Sequence, residues 1–296
     1  MDPTAEGVVP GLGRMTSTAD SRSVVELLTH PRYEVIPLAG AEKAVLEHVP
    51  SEVTVTVTTS PQKGLGPTLD LVERIAAHGY RVVPHLAARH VRDRDHLAEL
   101  VERIRVAGAT DVLVMAGDAA EPAGDFGGAL PLLAALADLG GPFEHVGMTG
   151  YPESHAFLSD DVAMRSMLAK AEFATYIVTQ ICFDPAVTLG WMDAVWERGI
   201  LLPIYVGLPG PVPRSKLLRV CERIGIGDSL RSLSAHDDDT DGAHEHDFDP
   251  DSLACGLDAS LDGTQPNMAG FHVFTFNDLE GTERWRQGAL GRLRNA

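Results

Sequence analysis

The chain has 296 residues, of which 44% are hydrophobic and 22% charged, as is usual for a globular protein with a full core. Its net charge of −18 repels phosphate, which argues against nucleic acid or an anionic membrane surface as a partner but leaves small anionic ligands possible. The three cysteines are far apart and lack C-x-x-C spacing, so they predict neither a disulfide framework nor a zinc site.

The N-terminus and the apolar runs bear on the location of the protein. The chain opens Met1-Asp2-Pro3 without a basic segment, and no apolar run reaches the roughly 18–20 residues of a membrane span. We therefore expect a cytoplasmic protein with no membrane partner.

Strand and helix patterns alternate along almost the whole chain. Residues 1–30 are predicted to form a flexible segment with a short helix near its end. The predicted strands cover 33–37, 53–59, 81–85, 111–115, 143–149, 175–181, 202–206 and 270–276, and the helices cover 41–49, 67–78, 93–107, 129–138, 161–171, 185–198, 213–224 and 279–293. Eight such units predict a single (β/α)8 TIM barrel over residues 31–296. No G-x-G-x-x-G follows the first strand, which argues against a Rossmann domain.

One acidic segment, residues 236–251, interrupts this pattern between the seventh and eighth units. It contains His244 and His246 among many aspartates, but its spacing matches no EF-hand loop. We interpret the segment as a solvated loop insertion and predict no metal there.

Polar side chains follow the predicted strands at the end where ligands bind in a barrel of this type. Taken singly, each has a structural explanation: Glu34 could form a salt bridge, and His85 could be a hydrogen-bonded core histidine. Together they indicate a ligand pocket. The residues are Glu34, Thr58, Thr59, His85, Asp118, Tyr151, His155, Gln180 and, at the end of the last strand, Thr275, Phe276 and Asn277.

The residue types in this set limit the chemistry. There is no G-x-S-x-G elbow, and the rim histidines His85 and His155 come without an H-x-H or H-E-x-x-H pattern, so we predict neither a serine nucleophile nor a catalytic metal. Hydroxyl, amide and imidazole groups with one carboxylic acid suit a polar heterocycle and one proton transfer. Desolvation in a barrel mouth raises the pKa of a carboxyl group, which would let Glu34 act as a general acid.

Read in order, the motifs over residues 32–278 resemble those of the methylenetetrahydrofolate reductase family. They are Y-E-x-x-P from residue 33, T-x-T-T from 56, P-H-L from 84, G-D at 117–118, Y-P-E-x-H from 151, Lys170, T-Q-x-x-F-D from 179, P-I-x-x-G from 203 and G-F-H-x-x-T-x-N from 270. The resemblance implies a barrel that reduces 5,10-methylenetetrahydrofolate to 5-methyltetrahydrofolate, with NADH or NADPH as the electron source. Barrels of this family commonly associate, so a homo-oligomer is expected.

The resemblance also implies a role for each site residue. Glu34 is similar to the family's catalytic acid, and Asp118 and Gln180 are similar to its pterin-binding residues; Phe276 is predicted to contact the substrate as well. The positions that match flavin-holding residues are Thr59, His85, Tyr151, His155 and Lys170.

The chain departs from the family pattern mainly on the flavin side. Ala116 stands where most members have an arginine, and Ala163 stands where they have an aspartate. The stretch from Lys170 to Gln180 is one residue shorter than usual, and the first strand reads E-V-I-P instead of E-F-F-P. FAD is therefore a doubtful cofactor, and we expect the nicotinamide to take the flavin position and pass its hydride directly to the folate.

Three alternatives stay open at this stage. The first is a conventional FAD-dependent reductase of the same family, and the second is a non-catalytic folate-binding barrel. The third is an oxidoreductase that acts on a related pterin with a deazaflavin donor. Arg89, Arg92 and Arg214 lie in or near strand-to-helix loops and are candidates for binding the phosphates of the nicotinamide dinucleotide.

Overall fold

The structure, a computed structural model, describes residues 24–60, 62–153, 160–224, 248–260 and 267–294. Its eight strands form one closed barrel in the order β1 to β8, every neighbouring pair is parallel, and β8 pairs with β1 to close it. The (β/α)8 barrel is therefore confirmed. The strands are β1 Arg32–Val35, β2 Thr54–Val57, β3 Val82–Ala87, β4 Asp111–Met115, β5 His145–Gly150, β6 Tyr176–Thr179, β7 Ile204–Pro209 and β8 Met268–Phe274.

Helices surround the barrel, and their inner faces pack on its outer surface to form the main hydrophobic core. They are α1 Val24–Thr29, α2 Ala41–His48, α3 Gly66–Ala77, α4 Arg94–Val106, α5 Ala129–Asp138, α6 Asp160–Ala171, α7 Pro185–Glu197, α8 Arg214–Ile224, α9 Asp251–Ser260 and α10 Leu279–Leu293. The short helix predicted within residues 20–29 is α1. Residues 1–23 and 236–247 lie outside the described residues, so the flexible segment and most of the acidic insertion stay predictions.

Alternation along β1 fixes which side chains enter the barrel. Tyr33 points outward, where its hydroxyl donates to Glu283 Oε2 of α10 at 2.8 Å. Its neighbours Arg32 and Glu34 point inward. Arg32 forms an ion pair with Asp111 of β4 at 3.0 Å, and both residues open their strands, so this pair lies at the amino end of the barrel. Glu34 is two residues nearer the carboxyl end.

The end of β8 differs from the prediction, which extended this strand to Phe276. The strand ends at Phe274, because Phe276 and Asn277 adopt the left-handed conformation, with φ of 50° and 64°. The Asn277 side chain accepts a hydrogen bond from the Ile36 nitrogen at 2.8 Å and donates one to the Ile36 oxygen at 2.9 Å. This pair of bonds ties the end of β8 to the end of β1.

None of the helices in the described ranges is both long enough and apolar enough to cross a bilayer.

Candidate active site

Glu34 lies inside the barrel between two histidines that come from different strands. Its Oε2 is 3.4 Å from Nε2 of His272 on β8 and 3.7 Å from Nδ1 of His85 on β3. The two imidazole rings stack with their centroids 5.8 Å apart. Both rings are almost fully buried, whereas the Glu34 side chain keeps 16% of its surface exposed. Glu34 is therefore the member of this cluster that a ligand can reach.

Burial shifts the pKa values of all three groups toward their neutral forms. It raises the pKa of Glu34, an effect that the nearby His85 only partly opposes. Burial is the main reason that the pKa of His85 is lowered to about 4 and that of His272 to about 3, and the Arg32 guanidinium contributes to both shifts. Near neutral pH both rings are uncharged, and Glu34 holds its proton to a higher pH than an exposed glutamate does.

The two histidines should make the folded protein sensitive to acid. Their folded pKa values lie below the value of about 6.5 in the unfolded chain. Neutral burial therefore contributes stability that is complete above this pH and is lost as the pH falls toward the folded values. We expect the free energy of unfolding, measured by urea titration, to fall between pH 6.5 and about 4.

A variant separates this contribution from that of the other titrating groups. His272→Gln has no titrating ring at this position, so its stability should fall less steeply than that of the wild type over the same pH range. Parallel slopes for the two proteins would show that burial of His272 does not contribute to the acid sensitivity.

The three side chains also form the only group among the described residues whose His, Cys, Asp or Glu donor atoms are spaced to share a metal ion, within 4.8 Å. Two observations argue against that use. Metal-binding histidines nearly always donate their second N–H to an acceptor, whereas His85 Nε2 and His272 Nδ1 have no hydrogen-bond partner. In addition, the Arg32 charge acts on both rings. The prediction that the site holds no metal stays.

The loop after β4 presents Asp118 at the barrel rim. Gly117 has a φ of 86°, and a Cβ at this position would lie 2.9 Å from that of Ala87 at the end of β3, so the tight turn requires glycine. Arg89 holds the loop, since its guanidinium donates to the Ala119 oxygen at 2.7 Å and to the Ala120 oxygen at 2.6 Å. The Arg89 side chain thus supports the loop. This role argues against the prediction that Arg89 binds the phosphates of the nicotinamide dinucleotide.

Gln180 and Tyr151 lie at the neighbouring ends of β6 and β5. The Gln180 nitrogen donates to the Gly150 oxygen at 2.9 Å, and its side-chain Oε1 accepts from the Ile181 nitrogen at 2.9 Å. The Tyr151 hydroxyl is 3.2 Å from Thr149 Oγ1. Burial raises the pKa of Tyr151, and the charge of Asp118 adds to this rise, which places Asp118 on the same side of the rim.

The other predicted site residues are more scattered. The Thr59 hydroxyl donates to the His85 oxygen at 2.7 Å. Lys170 lies near the end of α6, where burial lowers its pKa to about 8. Phe276 packs in a separate apolar cluster, and its ring is 5.6 Å from Lys216 Nζ. His155 falls outside the described residues. Hence the structure groups Glu34 with His85, and Asp118 with Tyr151, but it does not show Lys170 or Phe276 beside them.

A cavity of about 310 Å³ opens next to Tyr151, between α6 and α7. Its walls are largely apolar, with Met164, Met167 and Trp191 on the two helices, and Arg198 lies at its edge. Ala163 also lines this cavity, so the aspartate typical of the family would have reached into it.

His272 is a site residue that was not predicted from the sequence. The residue stands within the quoted G-F-H motif, and alternation along β8 puts Gly270, His272 and Phe274 on one face of the strand. The available signal was therefore the shared inward face of the last strand, but only barrel closure reveals that this face meets Glu34.

Fold and site together define a (β/α)8-barrel protein with a buried acid inside the barrel and a polar rim at the carboxyl ends of its strands. The family model described as methylenetetrahydrofolate reductase matches residues 37–225, and the chain belongs to this family. Glu34 and His272 lie outside the matched span, so their placement at the site comes from the structure and the quoted motifs.

Solved structures with related folds are more distant. Dihydropteroate synthase from Thermus thermophilus in complex with 6HMPPP has 15% identity and a TM-score of 0.46, over 90% of this chain and 94% of that one. A Yersinia pestis DHPS with a pterine-sulfa conjugate has 13% identity and a TM-score of 0.45, over 91% and 96%. Similarity at this level carries no information on the site.

Proposed function

We propose that this protein reduces 5,10-methylenetetrahydrofolate to 5-methyltetrahydrofolate with NADH or NADPH, and that the hydride passes directly to the folate without a bound flavin. The observation that carries the proposal is Glu34, a carboxyl group whose pKa is raised by burial inside the barrel of a chain that belongs to this reductase family.

The acid has a defined task in this reaction. Glu34 gives its proton to the folate nitrogen that leaves as the methylene bridge opens to an iminium ion, and a hydride with its electron pair then adds to that carbon. The carboxylate that remains is disfavoured by burial, so it takes up a proton readily. Its partly exposed side chain gives solvent a route for this second transfer.

Asp118 and Gln180 are proposed to hold the pterin. Asp118 is exposed at the rim, where it can accept hydrogen bonds from the ring nitrogens and the amino group. The bond from Ile181 fixes the Gln180 amide and engages its oxygen, so the amide donor group is the part offered to the substrate.

The residues present do not fit a tightly held flavin. Ala116 is exposed at the rim and offers no donor, and Ala163 adds no charge to the cavity beside Tyr151. The Thr59 hydroxyl is engaged by the His85 oxygen. We propose that the nicotinamide ring of the donor lies over the pterin where other family members hold a flavin.

The visible spectrum of the purified protein and a flavin-free assay test this proposal. We expect no stoichiometric flavin absorption, and we expect steady NADH- or NADPH-dependent reduction of methylenetetrahydrofolate with no flavin added. Added FAD should leave the rate unchanged.

Each competing function predicts a different outcome of the same measurements. A bound flavin, or turnover that requires FAD, would establish the conventional flavoenzyme. Folate binding without oxidation of either nicotinamide would indicate a non-catalytic barrel, and turnover only with a deazaflavin would indicate the third alternative.

A further inference from the structure

Both histidines of the buried cluster face the same oxygen of Glu34. His272 Nε2 and His85 Nδ1 both approach Oε2, and the hydrogen bond from the His272 ring also involves this oxygen. The carboxyl group is therefore asymmetric, with one oxygen between two imidazoles and the other available to a ligand. The His272 contact is the shorter one, at 3.4 Å, and lies within hydrogen-bonding range.

The surroundings decide which ring nitrogen carries hydrogen. A neutral imidazole has one N–H and one lone pair, and the nitrogens that face away from Glu34, His85 Nε2 and His272 Nδ1, have no partner. An orphaned buried N–H is rarer than an under-satisfied acceptor. The hydrogen of His272 therefore belongs on Nε2, which faces Glu34 and can donate to Oε2, whereas neither nitrogen of His85 has a hydrogen-bond partner.

The charged groups around the cluster are consistent with neutral rings. Arg32, two residues before Glu34 on β1, opposes protonation of both imidazoles. The neighbouring strand β2, Thr54–Val57, carries no titratable side chain. Within the described part of the chain, His85 from β3 and His272 from β8 are thus the titratable groups that face Glu34, and Arg32 acts on these two rings.

We propose that His272 is a positioning residue, which donates from Nε2 to Oε2 of Glu34 and so places the acidic proton on Oε1, the oxygen directed to the substrate. This inference rests on the proposed function for its kinetic consequence but not for the hydrogen bond itself. His85 Nδ1, at 3.7 Å from Oε2, lies beyond hydrogen-bonding distance, so the assignment concerns His272 alone. Because Oε2 accepts before and after proton transfer, no imidazole has to change tautomer during turnover.

Two substitutions of similar polarity test the position of the donor. The amide nitrogen of His272→Gln reaches the place of Nε2, whereas that of His272→Asn reaches only the place of Nδ1. We expect His272→Asn to lower kcat by about 10–100-fold, the worth of a hydrogen bond to a charged group, with the folate KM unchanged. His272→Gln should retain most of the rate.

The pH dependence of kcat distinguishes a positioning role of His272 from a purely structural one, because a structural role would leave the alkaline limb unchanged. The donor stabilises the carboxylate, so its loss raises the pKa of Glu34 and moves the alkaline limb of kcat to higher pH by about one unit in His272→Asn. His272→Gln should keep the wild-type limb. Unshifted limbs in both variants, or identical losses of kcat, would overturn the proposal.

An infrared titration separates this inference from the proposed function. The carboxyl stretching band of Glu34, identified by its absence in Glu34→Gln, should titrate at higher pH in His272→Asn than in the wild type and in His272→Gln. If the wild type has no reductase activity, the proposed function fails. The titration still shows whether His272 donates a hydrogen bond to Glu34. A Glu34 band that titrates identically in all three proteins would refute the assignment of His272.

Discussion

Glu34→Gln is expected to reduce kcat by about 10²–10⁴, the usual contribution of general acid catalysis. Glutamine keeps the shape of the side chain and an oxygen that can accept from His272, but it has no proton to give to the leaving folate nitrogen. Binding of folate and of the nicotinamide, measured at equilibrium, should therefore change little. The loss should appear in single-turnover rates of hydride transfer as well as in steady-state rates.

A matched control is available on the surface. Glu47 of α2 is exposed, and its side chain pairs only with Lys43 and His48 on the same helix surface, so Glu47→Gln should keep wild-type turnover. Wild-type turnover in Glu34→Gln would contradict the role of Glu34 as the acid. It would require another group to protonate the substrate.

The same substitution should have the opposite effect on stability. Burial raises the pKa of Glu34, so its contribution to stability is complete below the unfolded pKa and is lost as the pH rises through the folded value. Glu34→Gln carries no such penalty and should be relatively more stable than the wild type at alkaline pH. A loss of activity with a gain in alkaline stability would distinguish a functional acid from a structural one.

Strand identity could be read from the sequence because each strand is a short apolar or β-branched run between helical patterns. The depth of a residue inside the barrel could not be read in this way, because it depends on where the strand ends. The prediction ended β3 at His85, which placed this histidine at the rim among the flavin-holding positions. The strand continues to Ala87, so His85 lies two residues deeper, inside the barrel and beside Glu34. Its role toward a cofactor stays a prediction, but its position favours a role toward the acid.

Contacts that depend on closure are also hidden from the sequence. His272 and Glu34 are 238 residues apart, and they meet only because β8 pairs with β1 in a register that sets His272 opposite Arg32. Local patterns cannot give this register. In contrast, Asp118 could be anticipated, since a carboxylate directly after a buried strand and a glycine lies at the rim whatever the register.

The amino end of the barrel contains a buried ion pair whose disruption should have a large effect on stability. Arg32 and Asp111 are 3.0 Å apart, with only 10% and 13% of their side chains exposed. The guanidinium lies 3.9 Å from the ring centroid of Tyr205 and 4.4 Å from that of Tyr176, whose hydroxyl donates to Asp111 at 2.6 Å. The two charges compensate each other in this network, although Arg32 Nη1 has no hydrogen-bond partner of its own. Removal of one charge therefore leaves its partner buried without compensation.

Asp111→Asn should therefore lower the free energy of unfolding by about 3–5 kcal/mol in urea titrations at neutral pH. Glu42→Gln is the matched control, because it breaks the exposed pair between Glu42 and Arg74 and should cost about 0–1 kcal/mol. The double variant Arg32→Met, Asp111→Asn removes both charges and should recover much of the loss. Equal, small losses in Asp111→Asn and Glu42→Gln would show that the buried pair does not stabilise the barrel. Arg32 lies two residues before Glu34 on β1. Loss of its ion pair in Asp111→Asn should therefore also disturb the position of Glu34, which links the stability of the amino end to the geometry of the site.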